Sequence, residues 1–205
     1  MQFSQLKKSL TNYIVFTQND IKKIYPLFHR QRLNEWQEKG YIKKIIKGHY
    51  IFSDIEINES ILFIIANEIY KPSYISLESA LSYYHLIPES IYGMTSINSK
   101  DTYKFKSLLG DFIYKKIKPS MLFGYKLVKY KECTFKIAEI EKAILDYFYI
   151  KSHLKKKEDF EELRIDKEIF TEHCNKNKLL KYLRYFNNKA LEKRMKAFMR
   201  YIQNA

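Results

Sequence analysis

Apolar residues recur every three or four positions at the start of the chain. Phe3, Leu6, Leu10 and Tyr13 are spaced three, four and three apart, which predicts an amphipathic helix over 2–13. Thr17 is a good N-cap for a second, short helix, and Asp20 three positions on completes an approximate capping box. Pro26 stops that helix, because proline lacks an amide donor and biases Tyr25 away from helical geometry. A third helix is expected over 28–39, closed by Gly40. On it Leu33 and Trp36 share one face, and Arg30, Gln31 and Asn34 the opposite one. The strands YIKKII and HYIF follow, joined by Lys47-Gly48, a turn in which glycine supplies the positive φ. Phe16, Ile21, Ile24, Leu33, Trp36, Ile42 and Tyr50 are expected to form the core with the first helix. Helix, tight turn, helix and hairpin in this order predict a winged helix-turn-helix for residues 1–55.

The acidic, polar stretch SDIEINE at 53–59 marks the expected boundary of a second domain, 56–205. It opens with a helix over 60–70 that is apolar on most of its surface, and so expected to lie buried between the two parts. Lys71-Pro72 closes that helix. In SYISLESALSYYHLIPES, Ser76 is the expected N-cap, Glu78 sits in the first turn where the helix dipole favours it, and Pro88 ends the segment. From Ile91 to Ile137 the period changes. SIYGMTSIN, DFIYKKIKP, YKLVKY and TFKIA are rich in β-branched and aromatic residues and punctuated by Gly93, Gly110, Pro119 and Gly124. They predict about four strands of an antiparallel or mixed sheet. The segment AEIEKAILDYFYIKSH is helical again, with Ile140, Ile144, Leu145 and Phe148 on its apolar side, and helices over 159–173, 176–187 and 189–203 follow a lysine-rich linker at 155–157. The predicted class is α+β: an N-terminal winged helix-turn-helix, then a mixed sheet-and-helix domain ending in a helical C-terminus.

Composition narrows the function classes. With 205 residues, 46% hydrophobic and 16% aromatic, the chain can bury a core, which excludes disorder. Its longest apolar run, ILFIIA at 61–66, is far shorter than the roughly 20 residues of a membrane helix. MQFSQLKKSL has no apolar core after its lysines, so no export signal and no membrane are expected. Cys133 and Cys174 lie far apart without a CxxC, against a disulfide scaffold or structural zinc. A cytoplasmic location follows as the expectation.

The net charge is +14, with thirty-one lysines to six arginines, a bias an AT-rich genome would partly impose. Its distribution says more. Residues 1–53 carry ten Lys/Arg against three Asp/Glu, a net +7, and residues 151–205 fifteen against eight, again +7. Between them, 54–110 is −3 (four against seven) and 111–150 is +3 (eight against five). Two basic ends around a near-neutral middle point to an anion-binding module at an end.

Arg30, Gln31 and Asn34, with Arg32 beside them, are the types that hydrogen-bond base edges in the major groove; the alternative is a solvated helix face. Lys43, Lys44, Lys47 and His49 flank the hairpin turn and fit phosphate or minor-groove contact, or simple solvation. Tyr41 and Tyr50 read as packing residues. Double-stranded DNA is therefore the expected partner. Glu139, Glu141, Lys142 and Asp146 open a second reading, a metal-dependent nuclease, since carboxylates and a lysine after a strand can hold a divalent cation beside a phosphate. Their spacing speaks against it: Lys142 and Asp146 are one helical turn apart, as in a surface ion pair worth tenths of a kcal/mol. The histidines at 29, 49, 85, 153 and 173 form no pair at metal-ligand spacing, and neither a GxSxG nor a glycine-rich phosphate loop occurs. No catalytic residue, metal or cofactor is expected. The basic LLKYLRYFNNKALEKRMKAFMRYI admits a second nucleic-acid surface, or a helical layer with its lysines in water, and with either a dock for an acidic partner.

Four stretches together resemble the AbiEi antitoxins of bacterial abortive-infection (type IV toxin–antitoxin) systems: the N-terminus with its GYIKKIIKGHYIF hairpin, YISLESALSYYHLIPES, IAEIEKAILDYFY and YLRYFNNKALEKRMKAFMRYI. The second is similar to the family's SLxSALxxxGLIP helix and the third to its A-x-P-E-K-A-L-L-D helix. His85 stands where a glycine is usual, and Ile140 where a proline is usual. The resemblance implies a non-enzymatic, two-domain protein. Its N-terminal domain would bind its own promoter as a repressor, and its C-terminal domain would counteract, directly or indirectly, a nucleotidyltransferase-type toxin encoded beside it.

Overall fold

In the computed structural model, which describes residues 2–88 and 93–203, the chain begins with helix α1 (Phe3–Ser9) and the two-residue strand β1 (Phe16–Thr17). Helices α2 (Gln18–Ile24) and α3 (Gln31–Glu38) and strands β2 (Ile42–Ile46) and β3 (His49–Phe52) follow. The expected capping box is present: the Asp20 amide donates to Thr17 Oγ1 at 3.3 Å, and the Thr17 amide to Asp20 Oδ2 at 3.0 Å. Gly40 closes α3 with φ of 69°, while Tyr41 and Gly40 return their amides to Trp36 and Gln37 at 2.9 and 3.0 Å. The strands form an antiparallel sheet in the order β1-β3-β2. Leu6, Leu10, Phe16, Ile21, Phe28, Leu33, Trp36, Ile42, Tyr50 and Phe52 make the core beneath it.

Several expectations are corrected. Helix α1 stops at Ser9, where the Thr11 hydroxyl turns back onto the Lys7 and Lys8 carbonyls. Ile24, expected inside, is 41% exposed, because α2 buries only Ile21 and turns its last residue to solvent. Tyr41 is exposed too, although its ring packs on Phe3 with centroids 4.7 Å apart.

The second part is built on a six-stranded sheet. Helix α4 (Glu59–Ile69) is capped by Asn58, whose Oδ1 accepts the Ile61 amide at 3.1 Å. After it come β4 (Ser73–Ile75), α5 (Leu77–Tyr83), β5 (Gly93–Asn98), β6 (Tyr103–Ser107), β7 (Gly110–Lys116), β8 (Tyr125–Tyr130) and β9 (Cys133–Ala138). The order is β6-β7-β5-β4-β9-β8, with β5/β7 and β4/β9 parallel and the other neighbours antiparallel. Two of these strands were not expected. β4 has three residues, all buried, and so shows no alternation, while β6 is a polar edge strand. The SIYGMTSIN strand begins at Gly93; the part of that expectation on residues 89–92 lies outside the described residues. Helix α4 packs on β9, β4 and β5, and Val15, Ile45 and Ile51 of the first unit join the same buried cluster.

Helices α6 (Ile140–Ile150), α7 (Lys157–Glu162), α8 (Lys167–His173), α9 (Lys176–Phe186) and α10 (Lys189–Gln203) complete a mixed α+β architecture with a helical C-terminus. The single helix expected over 159–173 is split, because Arg164 is left-handed (φ 49°) and Asp166 starts a new helix by accepting the Ile169 amide at 2.9 Å. Helices α9 and α10 bury Leu179, Leu183, Phe186, Leu191, Met195 and Phe198 in the main core.

His85 takes the left-handed position that ends α5, with φ of 57°. Its amide donates to the Ser82 carbonyl and that of Leu86 to the Leu81 carbonyl, both at 2.8 Å, the closure that glycine usually makes. His85→Gly is expected to raise stability by about 0.5–1 kcal/mol, the left-handed penalty of about 1–2 kcal/mol being partly offset by glycine's freedom when unfolded. Urea denaturation checks this, and a lower midpoint would refute it.

Candidate nucleic-acid interface

The rotation of α3 is set by what it buries. Leu33 and Trp36 lie in the core, which leaves Gln31, Arg32, Asn34, Glu35 and Glu38 exposed, with Arg30 exposed at the N-cap. Arg30, Gln31, Arg32 and Asn34 are therefore gathered on the first turn of α3, while Glu35 and Glu38 carry negative charge to its other end. α3 packs against β2. In that strand Ile42 and Ile45 point inward and Lys43 and Lys44 both outward, because the pairing with β3 shifts register between Lys44 and Ile46. Such a bulge brings two successive side chains to one face. Lys47 is exposed at the turn, and His49 is half-buried with Nδ1 3.4 Å from the Lys47 carbonyl oxygen. Among the described residues, Arg30, Lys43, Lys44 and Lys47 enter no ion pair.

One side chain here escaped the sequence reading. Leu27, between Pro26 and α3, is 89% exposed beside a hollow of about 370 Å³ lined by Ile24 to His29 and Arg32. Its chemistry suits a thymine methyl. Pro26 marks only the end of α2, and it is the path of the turn beyond it that exposes Leu27.

The polar residues of α6 have a different fate. Lys142 and Asp146, read from their spacing as a surface ion pair, are 0% exposed. Asp146 Oδ2 accepts the Tyr74 and Ser76 hydroxyls at 2.8 and 2.9 Å, Oδ1 faces the Lys142 ammonium, and that ammonium donates to Tyr74 Oη at 2.8 Å. The rings of Phe186, Phe123 and Tyr74 lie 4.8, 5.1 and 5.4 Å from Lys142 Nζ. Burial pushes the Asp146 carboxyl up and the Lys142 ammonium down from their ordinary values. The pair is buried because α5 and α9 both pack on α6 and cover the face that the spacing leaves open.

Glu141, only 4% exposed, accepts the Asn175 amide at 2.9 Å and stands 3.5 Å from Lys178 Nζ. Glu139 accepts the Tyr182 hydroxyl at 2.6 Å and pairs with Lys178 at 3.0 Å. Burial raises the Glu139 carboxyl, but Tyr182 and Lys178 outweigh it and hold the group below its usual range. The four side chains that invite a nuclease reading are thus tied to α9 and to the β4–α5 junction. Among the described residues, no three His, Cys, Asp or Glu stand together as metal ligands. No protein-family model and no curated protein matches the chain.

Proposed function

We propose that the chain is a DNA-binding antitoxin of the AbiEi type, cytoplasmic and non-enzymatic, which represses its own operon. In this reading residues 1–55 are a winged helix-turn-helix, with α3 as recognition helix and the β2–β3 hairpin as wing. Residues 56–205 counteract a nucleotidyltransferase-type toxin, directly or indirectly. The observation that carries the DNA-binding half is the exposure of Arg30, Gln31 and Asn34 on the first turn of α3, with Lys43, Lys44 and Lys47 outward on the adjoining hairpin. The antitoxin half is supported by the meeting of two stretches on which the family resemblance rests: Tyr74 and Ser76 of YISLESAL bond Asp146 of EKAILD.

Gel shifts with the DNA upstream of the gene test the proposal. Binding is expected to prefer that fragment over unrelated DNA and to fall steeply with salt, as counterion release requires. No preference at moderate salt would sink autorepression. Arg30→Ala and Asn34→Ala are each expected to cost roughly 1–3 kcal/mol on the operator and to relax its discrimination. Lys47→Ala should instead weaken all DNA alike and lower the salt slope by about one. Relaxed specificity from Lys47→Ala alone would overturn the assignment of α3.

A further inference from the structure

Helices α7, α8 and α10 meet around a groove of about 630 Å³ that the DNA-binding reading does not use. Small-molecule sites span about 300–1,000 Å³. Phe160 forms the floor, buried, with ring centroids 5.6 Å from Phe198 and 5.7 Å from Tyr201. Lys155, Lys157, Lys167 and Arg200 line the sides. The Lys167 ammonium lies 4.2 Å from the centre of the Tyr201 ring, whose π-face anchors it at the groove.

Charge compensation in the groove is incomplete. Among the described residues, the one carboxylate in its lining is Glu161, 3.4 Å from Lys157. Asp159 is turned away, accepting the Lys155 and Lys156 amides at 2.7 and 2.8 Å, and Asp166 caps α8. Four cations around one hollow repel each other, and a bound polyanion relieves that repulsion. A small inorganic anion would leave the half-buried apolar surface of Tyr201 and Ala197 bare. An organic phosphate ester fills both halves, its apolar part on the half-buried Tyr201 and Ala197 and its phosphates among the cations.

We infer that the groove between α7, α8 and α10 binds a nucleoside di- or triphosphate. Calorimetric titration of the full-length protein with ATP tests this. Saturable one-site binding is expected, with pyrophosphate at least tenfold weaker and adenosine giving no measurable heat. Arg200→Glu and Lys167→Glu should each weaken ATP tenfold or more. Lys181→Glu, the same charge change on α9 outside the groove, should leave ATP binding unchanged. Thermal melts establish that each variant is folded, and Lys155→Gln, expected to weaken ATP severalfold, serves if either reversal unfolds. Three results would overturn the inference: no saturable heat with ATP, pyrophosphate binding as tightly as ATP, or Lys181→Glu costing as much as Arg200→Glu. A single-stranded oligonucleotide that outcompetes ATP through the same residues would reassign the groove to a polymer and overturn it as well.

Discussion

A chain that starts at Ser73, and so lacks α4, is expected not to fold: it should aggregate on gel filtration and show no cooperative thermal transition. Helix α4 buries Ile61, Phe63, Ile64, Ile65 and Ile69. At about 1.5–3 kcal/mol for each large apolar side chain, their sum is on the order of 10 kcal/mol. That equals the net stability of a typical domain, about 5–15 kcal/mol. The deletion also removes Asn67 Oδ1 from the Lys136 amide (2.5 Å) and the Ala66 carbonyl from the Tyr114 hydroxyl (2.6 Å). A chain starting at Ile57 keeps α4 and its Asn58 cap but loses the cover given by Val15, Ile45 and Ile51, the flanking Ile14, Ile46 and Ile55, and the Asn12 carbonyl that accepts from Cys133. It should melt cooperatively, below the full-length protein. Under the proposed function it should also protect cells expressing the toxin while failing to bind DNA. If both truncated chains melted equally sharply, α4 would belong energetically to the N-terminal unit.

Breaking the buried pair on α6 should be the most damaging single substitution of a charged residue. Lys142→Met or Asp146→Leu is expected to cost about 3–5 kcal/mol, because each leaves the partner as an uncompensated charge out of reach of water. The double change Lys142→Met/Asp146→Leu should cost far less than the sum, since it removes both charges and keeps the volume. Urea denaturation of the four proteins gives the coupling directly. Single changes that each cost less than about 1 kcal/mol would mean that the pair is solvated.

What the sequence discloses here depends on whether a signal is local. The β2–β3 turn, the Gly40 closure and the Thr17–Asp20 box could be read because the residues that make them are adjacent. Strand β4 could not: three residues buried on both faces have no period, and their partners Asn98 and Ile137 lie far along the chain. The break at Arg164 was hidden because no glycine or proline marks it. Exposure of Arg30, Gln31 and Asn34 followed from the positions of Leu33 and Trp36, whereas Leu27 needed the path of the turn. The burial of Lys142 and Asp146 has a local signal. The intervening Ala143, Ile144 and Leu145 are apolar, and a helix apolar on nearly every side is a buried one.

The short central strand has a consequence for the order of assembly. Ribbon β6-β7-β5 and hairpin β8-β9 each pair over small sequence separations, but β4 joins β9 through the single register pair Ile75↔Ile137. Closing that contact loops out the whole of the intervening chain, and the entropy lost must be met before the contact returns anything. The ribbon and the hairpin should therefore form first, with the β4/β9 seam zipped late as α4 lands across it. Native-state hydrogen exchange should divide the sheet along the same line, with the amides of β8 and β9 opening as one cooperative unit and those of β5 and β7 as another.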